Sequence, residues 1–420
     1  MPLGGGAETS TKSLFGILMK KHRPIRRLFP ILLINLTGFA IAIPVLPALA
    51  YALGGSAVDV GLLYAVQSLG QFLMAPIWGK FSDRLGRKPI LLATFFAAAC
   101  MELITAFVGS LGLLYVTRFI VGLCAGNVAT ASALIADSTD RDSRSKGMAV
   151  IGISFGIGFT LGPAIGAAVG VIAEPGVAGI LGAGMPFAAA AVMNLLTLIL
   201  GFWLLVEPTD NATERAQNRR RTKPVSVWSQ LQKRPVFLLC LLFFLYTVSL
   251  TVLEGTFFIY MEAIYGYDIV EVGIIFASMG LLMALFHGAV GPLSRRIGDR
   301  RMTIVGVVLL GAGLMIAPLY PALWFLLTAL AVATFGRAVV HPGILSMMSA
   351  QHTNHADTGQ LLGMLTSASS LGRIIGPAAG GMIFAFIAPA APFYFAGALL
   401  LITAIVWSIL WNEPSETIAA

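Results

Sequence analysis

Glu102, Arg118, Glu254, Arg337, His341 and Arg373 interrupt otherwise apolar runs of this chain. A charged side chain in hydrocarbon costs at least ~2.5 kcal/mol on insertion scales, so each is a functional candidate. A carboxyl group held away from water favours its neutral form and can carry a proton. Glu254 is the stronger candidate for that work, since Tyr246, Phe257, Phe258 and Tyr260 surround it in sequence. At 1.5 Å rise per residue, Glu102 lies about 20 Å from the inner end of its segment and Arg118 about 10 Å from the outer end of the next. In a core ~30 Å thick those depths coincide, which predicts an ion pair. That pair reads equally as proton coupling or as structure. Arg337 and His341 are four residues apart and share a helix face. They could bind an anionic group, or His341 could join a proton relay. Arg373 could neutralise a carboxylate or serve as an anion site.

The elements that must position these groups are transmembrane helices. The chain is 57% hydrophobic and 11% charged, whereas soluble domains carry about 25% charged residues. Twelve apolar segments of membrane-spanning length lie near 28–53, 59–79, 88–109, 111–136, 145–172, 185–206, 236–262, 270–293, 302–319, 321–349, 358–386 and 389–411. They are continuously apolar, unlike the alternating strands of a barrel. The expected fold is therefore an all-α membrane protein with twelve transmembrane helices in two six-helix bundles. Its parts are a tail (1–27), a first bundle (28–206), a linker (207–234), a second bundle (235–411) and a second tail (412–420).

The net charge of +8 does not indicate nucleic acid. All 27 Lys and Arg except Arg118, Arg337 and Arg373 lie in the N-terminal tail, in the loops after segments 2, 4 and 8, and in the linker. This alternation is the positive-inside pattern and puts both termini in the cytoplasm. The loop 351–357 has only His352 and His355 to offer and is the weakest link in that topology. The linker run Arg215–Arg221 suits anionic headgroups. Cys100, Cys124 and Cys240 have no paired spacing, so neither a metal site nor a disulfide is expected. No phosphate loop or nucleophile constellation points to an enzyme, and no cofactor is expected.

Two repeats show duplication. Gly79, Ser82, Arg84 and Gly86 of one charged turn recur 212 residues on as Gly291, Ser294, Arg296 and Gly298. The row Gly158, Gly162, Pro163, Gly166 recurs 214 residues on as Gly372, Gly376, Pro377, Gly380. Small residues at four-residue steps let helices approach closely. The prolines permit bends that would shape the interface between the halves. Halves with an even number of spans are parallel, with a pseudo-two-fold axis along the membrane normal.

The turn Gly79–Pro89 resembles the loop 2–3 motif of the major facilitator superfamily. Leu114–Gly122, with Arg118 inside it, resembles that family's helix 4 motif. The Gly-Pro row resembles the antiporter motif of its twelve-span drug:proton antiporters, which include tetracycline efflux proteins. The resemblance covers about Pro44 to Trp411 and implies alternating access between two bundles, with helices 1, 4, 7 and 10 lining a central cavity. It implies a conformational latch of Gly79, Asp83, Arg84, Gly86 and Arg87, with Asp83 against helix 11 and Arg87 bridging Asp83 to Asp137. The second turn has Arg295 where the first has Asp83, so any latch there must be weaker or use Asp299. Many relatives carry an acid in helix 1 where this chain has Asn35. Asn35, Asn127, Tyr246, Phe257, Phe258, Arg337, His341 and Arg373 are the expected cavity residues, with Glu254, Glu102 and Arg118 for proton coupling.

The function expected is proton-coupled antiport of a small organic molecule by a monomer in a bacterial inner membrane. The alternatives are transport of an anionic or metal-chelate substrate, siderophore-like in kind, and a non-transporting receptor or scaffold.

Overall fold

The computed structural model describes residues 23–127, 130–131, 134–135, 144–172, 182–207, 227–351 and 358–411, leaving aside the side chains of 23–26, 83, 144–153, 155 and 358–360. The first bundle comprises α1 (Arg23–Ala52), α2 (Ala57–Leu85), α3 (Arg87–Ala106), α4 (Leu111–Ala125), α5 (Arg144–Gly170) and α6 (Met185–Leu204). After a five-residue helix, Val227–Leu231, comes α7 (Arg234–Tyr265). The long helix Ile269–Ile316 breaks at Gly298 (φ 78°), giving rods α8 (269–297) and α9 (299–316). Then follow α10 (Leu323–Ala350), α11 (Thr358–Phe386) and α12 (Ala391–Leu410). The described residues thus form twelve rods, six in each half, as the apolar segments predict.

The bilayer explains the outer surface. Phe96, Phe202, Trp203, Ile402, Ile405 and Ile409 are all exposed. In water such a belt would drive aggregation; against lipid tails it has no such cost. These residues lie on α3, α6 and α12. Within the halves α3 packs on α6 and α9 on α12, at the periphery.

The duplication reaches further than the sequence repeats suggest. Ser56 and Asp59 form a capping box at the start of α2, and Asp268 and Glu271 form the same box at the start of α8, 212 residues on. Reciprocal side-chain bonds of this kind satisfy amides that a helix start leaves unpaired. Gly86 (φ 99°) and Gly298 (φ 78°) make the same left-sided break between consecutive rods, a conformation that glycine adopts without a Cβ clash. In both turns the residue after this glycine reaches back to the serine four positions before it. Arg87 Nη1 donates to Ser82 Oγ at 2.5 Å; in the second copy the Ser294 hydroxyl donates to Asp299. Asp299 also accepts from Ser346 of α10.

The halves meet along α2 with α11 and α5 with α8. At the end remote from the basic loops they touch backbone to backbone. A Cβ on Gly61 would lie 2.2 Å from the Pro377 carbonyl oxygen, and one on Gly273, its mate in the second half, 3.0 Å from the Pro163 carbonyl oxygen. At the basic-loop end, a Cβ on Gly79, Gly288, Gly291 or Gly363 would meet nothing within 4 Å. The cavity between the halves is therefore shut at the far end and open toward the basic loops.

Gly61→Ala should overpack this seam. Overpacking costs ~1–3 kcal/mol, and about 1.4 kcal/mol is tenfold in a population. A cysteine placed at Ser68 should then react faster with an impermeant maleimide from the far side; unchanged labelling would contradict the seam's role.

Candidate functional site: a cavity between the two halves

A cavity with about 510 Å³ of empty space, part of it open to the exterior, lies where the halves face each other. From the first half it is lined by Phe39, Ala42, Ile43 and Leu46 of α1 and by Tyr64, Gln67, Ser68 and Gln71 of α2. From the second half come Glu254 of α7 and Arg373 and Pro377 of α11. An apolar wall with a few convergent polar groups is the usual make-up of a small-molecule site. Glu254 is half-buried and, among the described residues, has no ion-pair partner. Tyr64 stands near it, within electrostatic reach of both Glu254 and Arg118, and its hydroxyl donates to the Ile43 carbonyl.

Arg118 and Glu102 meet, but away from this cavity. Arg118 Nη2 lies 2.7 Å from Glu102 Oε2, with side chains 0% and 4% exposed. The same nitrogen donates to Thr105 Oγ1 at 2.8 Å, and the guanidinium sits 5.0 Å from the Phe187 ring centroid. The pair joins α3 to α4, with Phe187 of α6 over the guanidinium, and neither residue is in the cavity lining.

Of the eight expected cavity residues, Arg373 is in this lining and the other seven are not. Asn35 donates to Asn194 of α6 at 3.1 Å, and Asn127 donates to Thr94 of α3 at 3.0 Å. Both satisfy their amides inside the first bundle, as buried polar groups must. Phe257 and Phe258 are core residues of the second bundle, with Phe257 5.2 Å from Phe276 and 6.3 Å from Phe393 between ring centroids. Proximity to Glu254 in sequence misleads because α7 is wrapped by its own bundle on most sides, leaving a narrow face to the cavity. Tyr246 is also buried, stacked on Phe243 at 6.0 Å. It lies within electrostatic reach of Arg337 and Arg373. His341 is exposed, with its ring 5.5 Å from Phe243.

The glycine rows lie inside the halves. Gly158, Gly162 and Gly166 pack against α1, and Gly372, Gly376 and Gly380 against α7. They join helices within each half. The interface between the halves uses the carbonyls of Pro163 and Pro377 instead, against Gly273 and Gly61. That pairing has a sequence signal, since Gly61 and Gly273 share the 212-residue offset.

In the charged turn, Gly79 makes no close approach in this conformation and Arg84 is exposed, whereas Arg87 is buried. The Asp83 side chain and Asp137 lie outside the described residues. A carboxylate missed by sequence reasoning holds this turn. Glu207, just past α6, accepts from the amides of Arg87 and Lys88 at 2.7 Å each. These are the first amides of α3, where a negative charge also opposes the helix dipole. Glu207→Ala should cost about 1–2 kcal/mol and lower the thermal midpoint of the detergent-purified protein. An unchanged midpoint would show that the cap is dispensable.

Comparisons with known proteins agree with this geometry. The family model for the Major Facilitator Superfamily matches residues 28–288 and 239–419. The class E tetracycline resistance protein of Escherichia coli is 30% identical over 375 residues, covering 87% of this chain and 88% of that one. Multidrug resistance protein 2 of Bacillus subtilis (strain 168) is 26% identical, covering 94% and 98%. The crystal structure of the human organic anion transporter MFSD10 superposes with a TM-score of 0.69 at 26% identity, covering 92% of this chain and 99% of that one. The chain belongs to the major facilitator superfamily of membrane transporters.

Proposed function

We propose that this protein exports a small organic molecule in exchange for protons, by alternating access, with Glu254 as the proton carrier. The observation that carries this reading is the position of Glu254, an unpaired carboxylate among the described residues that lines the cavity between the halves. A carboxyl group there can face first one side of the membrane and then the other as the halves move. Names of relatives that confer tetracycline or multidrug resistance support export. The basic loops set the open end toward the cytoplasm, with both termini on that side. In the opposite state the turn Gly79–Pro89 would close that end, with Asp83 and Asp137 in the latch. Glu102 and Arg118 form a structural pair in this reading.

The test is uptake into proteoliposomes of a drug panel that includes tetracycline, under imposed pH gradients. The reading predicts that a gradient accelerates uptake of at least one compound and that a proton ionophore abolishes the acceleration. Uptake indifferent to the gradient would refute proton coupling.

A further inference from the structure

In the second half, Arg337 and His341 of α10 lie within electrostatic reach of each other and of Arg373, which lines the cavity. Arg337 and His341 stand one turn apart on α10, and Arg373 reaches the cavity from α11. Arg337 and Arg373 both act electrostatically on Tyr246 and on His341. His287 of α8 also faces His341, and its Nδ1 is engaged by the Met283 carbonyl at 2.8 Å. Among the described residues, neither guanidinium has a carboxylate partner. The described carboxylates of this half are Glu254, Glu262, Asp268, Glu271 and Asp299. Asp268 and Glu271 cap α8 at the closed end, and Asp299 is held by Ser294 and Ser346 at the other.

The backbone of Arg373 and that of Glu254 lie at different depths, although both side chains line one cavity. A Cβ on Gly372 would meet Thr247, and one on Gly380 would meet Val252. Arg373 therefore sits level with the 247 turn of α7, seven residues before Glu254, or about 10 Å toward the open end.

Guanidinium groups stay protonated under all ordinary conditions, and they bind carboxylates through paired hydrogen bonds. In the open cavity water can solvate them. When the cavity closes and loses water, two cations without a carboxylate partner become costly and their attraction for an anion grows. Phe243 lies between Tyr246 and His341, in ring contact with both, and fixes that wall of the site. Phe39, Ile43 and Leu46 supply an apolar surface on the opposite wall.

We propose that Arg337, Arg373 and His341 form an anion subsite that takes the acid group of an organic carboxylate, whose apolar body lies against α1. This rests on the reading of the cavity as the transport site. It assigns the substrate an acid group bound at a place distinct from the proton site. Tyr246 and Phe243 are positioning residues.

The test is equilibrium binding of 2-naphthoate and of its neutral analogue 2-naphthamide to the purified full-length protein, read by ligand fluorescence anisotropy. The naphthoate should bind at least about tenfold tighter, a difference of ~1.4 kcal/mol. Arg337→Gln and Arg373→Gln should each remove most of that preference, with a thermal midpoint and elution profile like the wild type to show that the protein is folded. Arg373→Lys should retain part of it. Equal affinities, no measurable naphthoate binding, or a preference that survives in the double Gln variant would overturn the proposal. So would chloride occupying the site so that naphthoate cannot displace it, since the occupant would then be an inorganic ion. No gradient is used, so failure of proton coupling leaves this result readable, and failure of the subsite leaves the coupling test readable.

Discussion

Arg118→Leu is expected to remove most of the folded protein. Arg118 is 0% exposed and Glu102 3%, so the substitution leaves a carboxylate in a dry interior without its guanidinium partner. Breaking a buried ion pair from one side costs about 3–5 kcal/mol, a large part of the 5–15 kcal/mol that holds a typical protein together. The loss of the Phe187 contact adds to this. The double variant Arg118→Leu/Glu102→Leu separates structure from coupling. Replacing both partners with apolar groups removes the uncompensated charge, so monodisperse protein should be recovered in detergent. If the pair is structural, gradient-driven transport returns with the fold. Recovery of folded protein without transport would assign the pair to coupling and contradict the present reading. Single variants that fold like the wild type would show that the pair contributes little.

The meeting of Arg118 with Glu102 is legible from depth alone, because a helix has a fixed rise and the membrane a fixed thickness. The rods themselves follow from apolar run length, and the duplication from two repeats at nearly one offset. The address of a side chain around its helix was harder to read. Asn35, Asn127, Phe257 and Phe258 all sit at suitable depths, yet they face inward to their own bundles. Most faces of these helices are apolar, whether they meet lipid or a neighbouring helix, so hydrophobic periodicity alone is a poor marker of the cavity side. Gln67, Ser68 and Gln71 do interrupt α2 at three- and four-residue steps, and that polar stripe was a readable signal of the cavity wall. Glu207 as the cap of α3 was not readable. It depends on the end of α6 returning beside the start of α3, more than a hundred residues earlier.

The shared offset of Gly61 and Gly273 carries a mechanistic consequence. The halves touch through two equivalent glycine–proline contacts, one on each side of the pseudo-two-fold axis. Such a seam can open and close as a rigid rocking of one half on the other, the motion expected for parallel repeats. Glu254 and the Arg373 wall then pass from one aqueous face to the other without leaving their helices.

Glu254→Gln is the second large effect. The amide matches the protonated acid in shape and in charge but cannot release a proton. The halves can still rock, since their seam is untouched, and cargo can still cross in either direction. What should disappear is work done by the pH gradient. The decisive measurement compares two assays on the same Glu254→Gln proteoliposomes: net transport driven by a pH gradient, and exchange of labelled for unlabelled cargo at uniform pH. The predicted result is gradient-driven transport at the level of empty liposomes with exchange retained. Gradient-driven transport at the wild-type rate would contradict the assignment of Glu254 as the proton carrier.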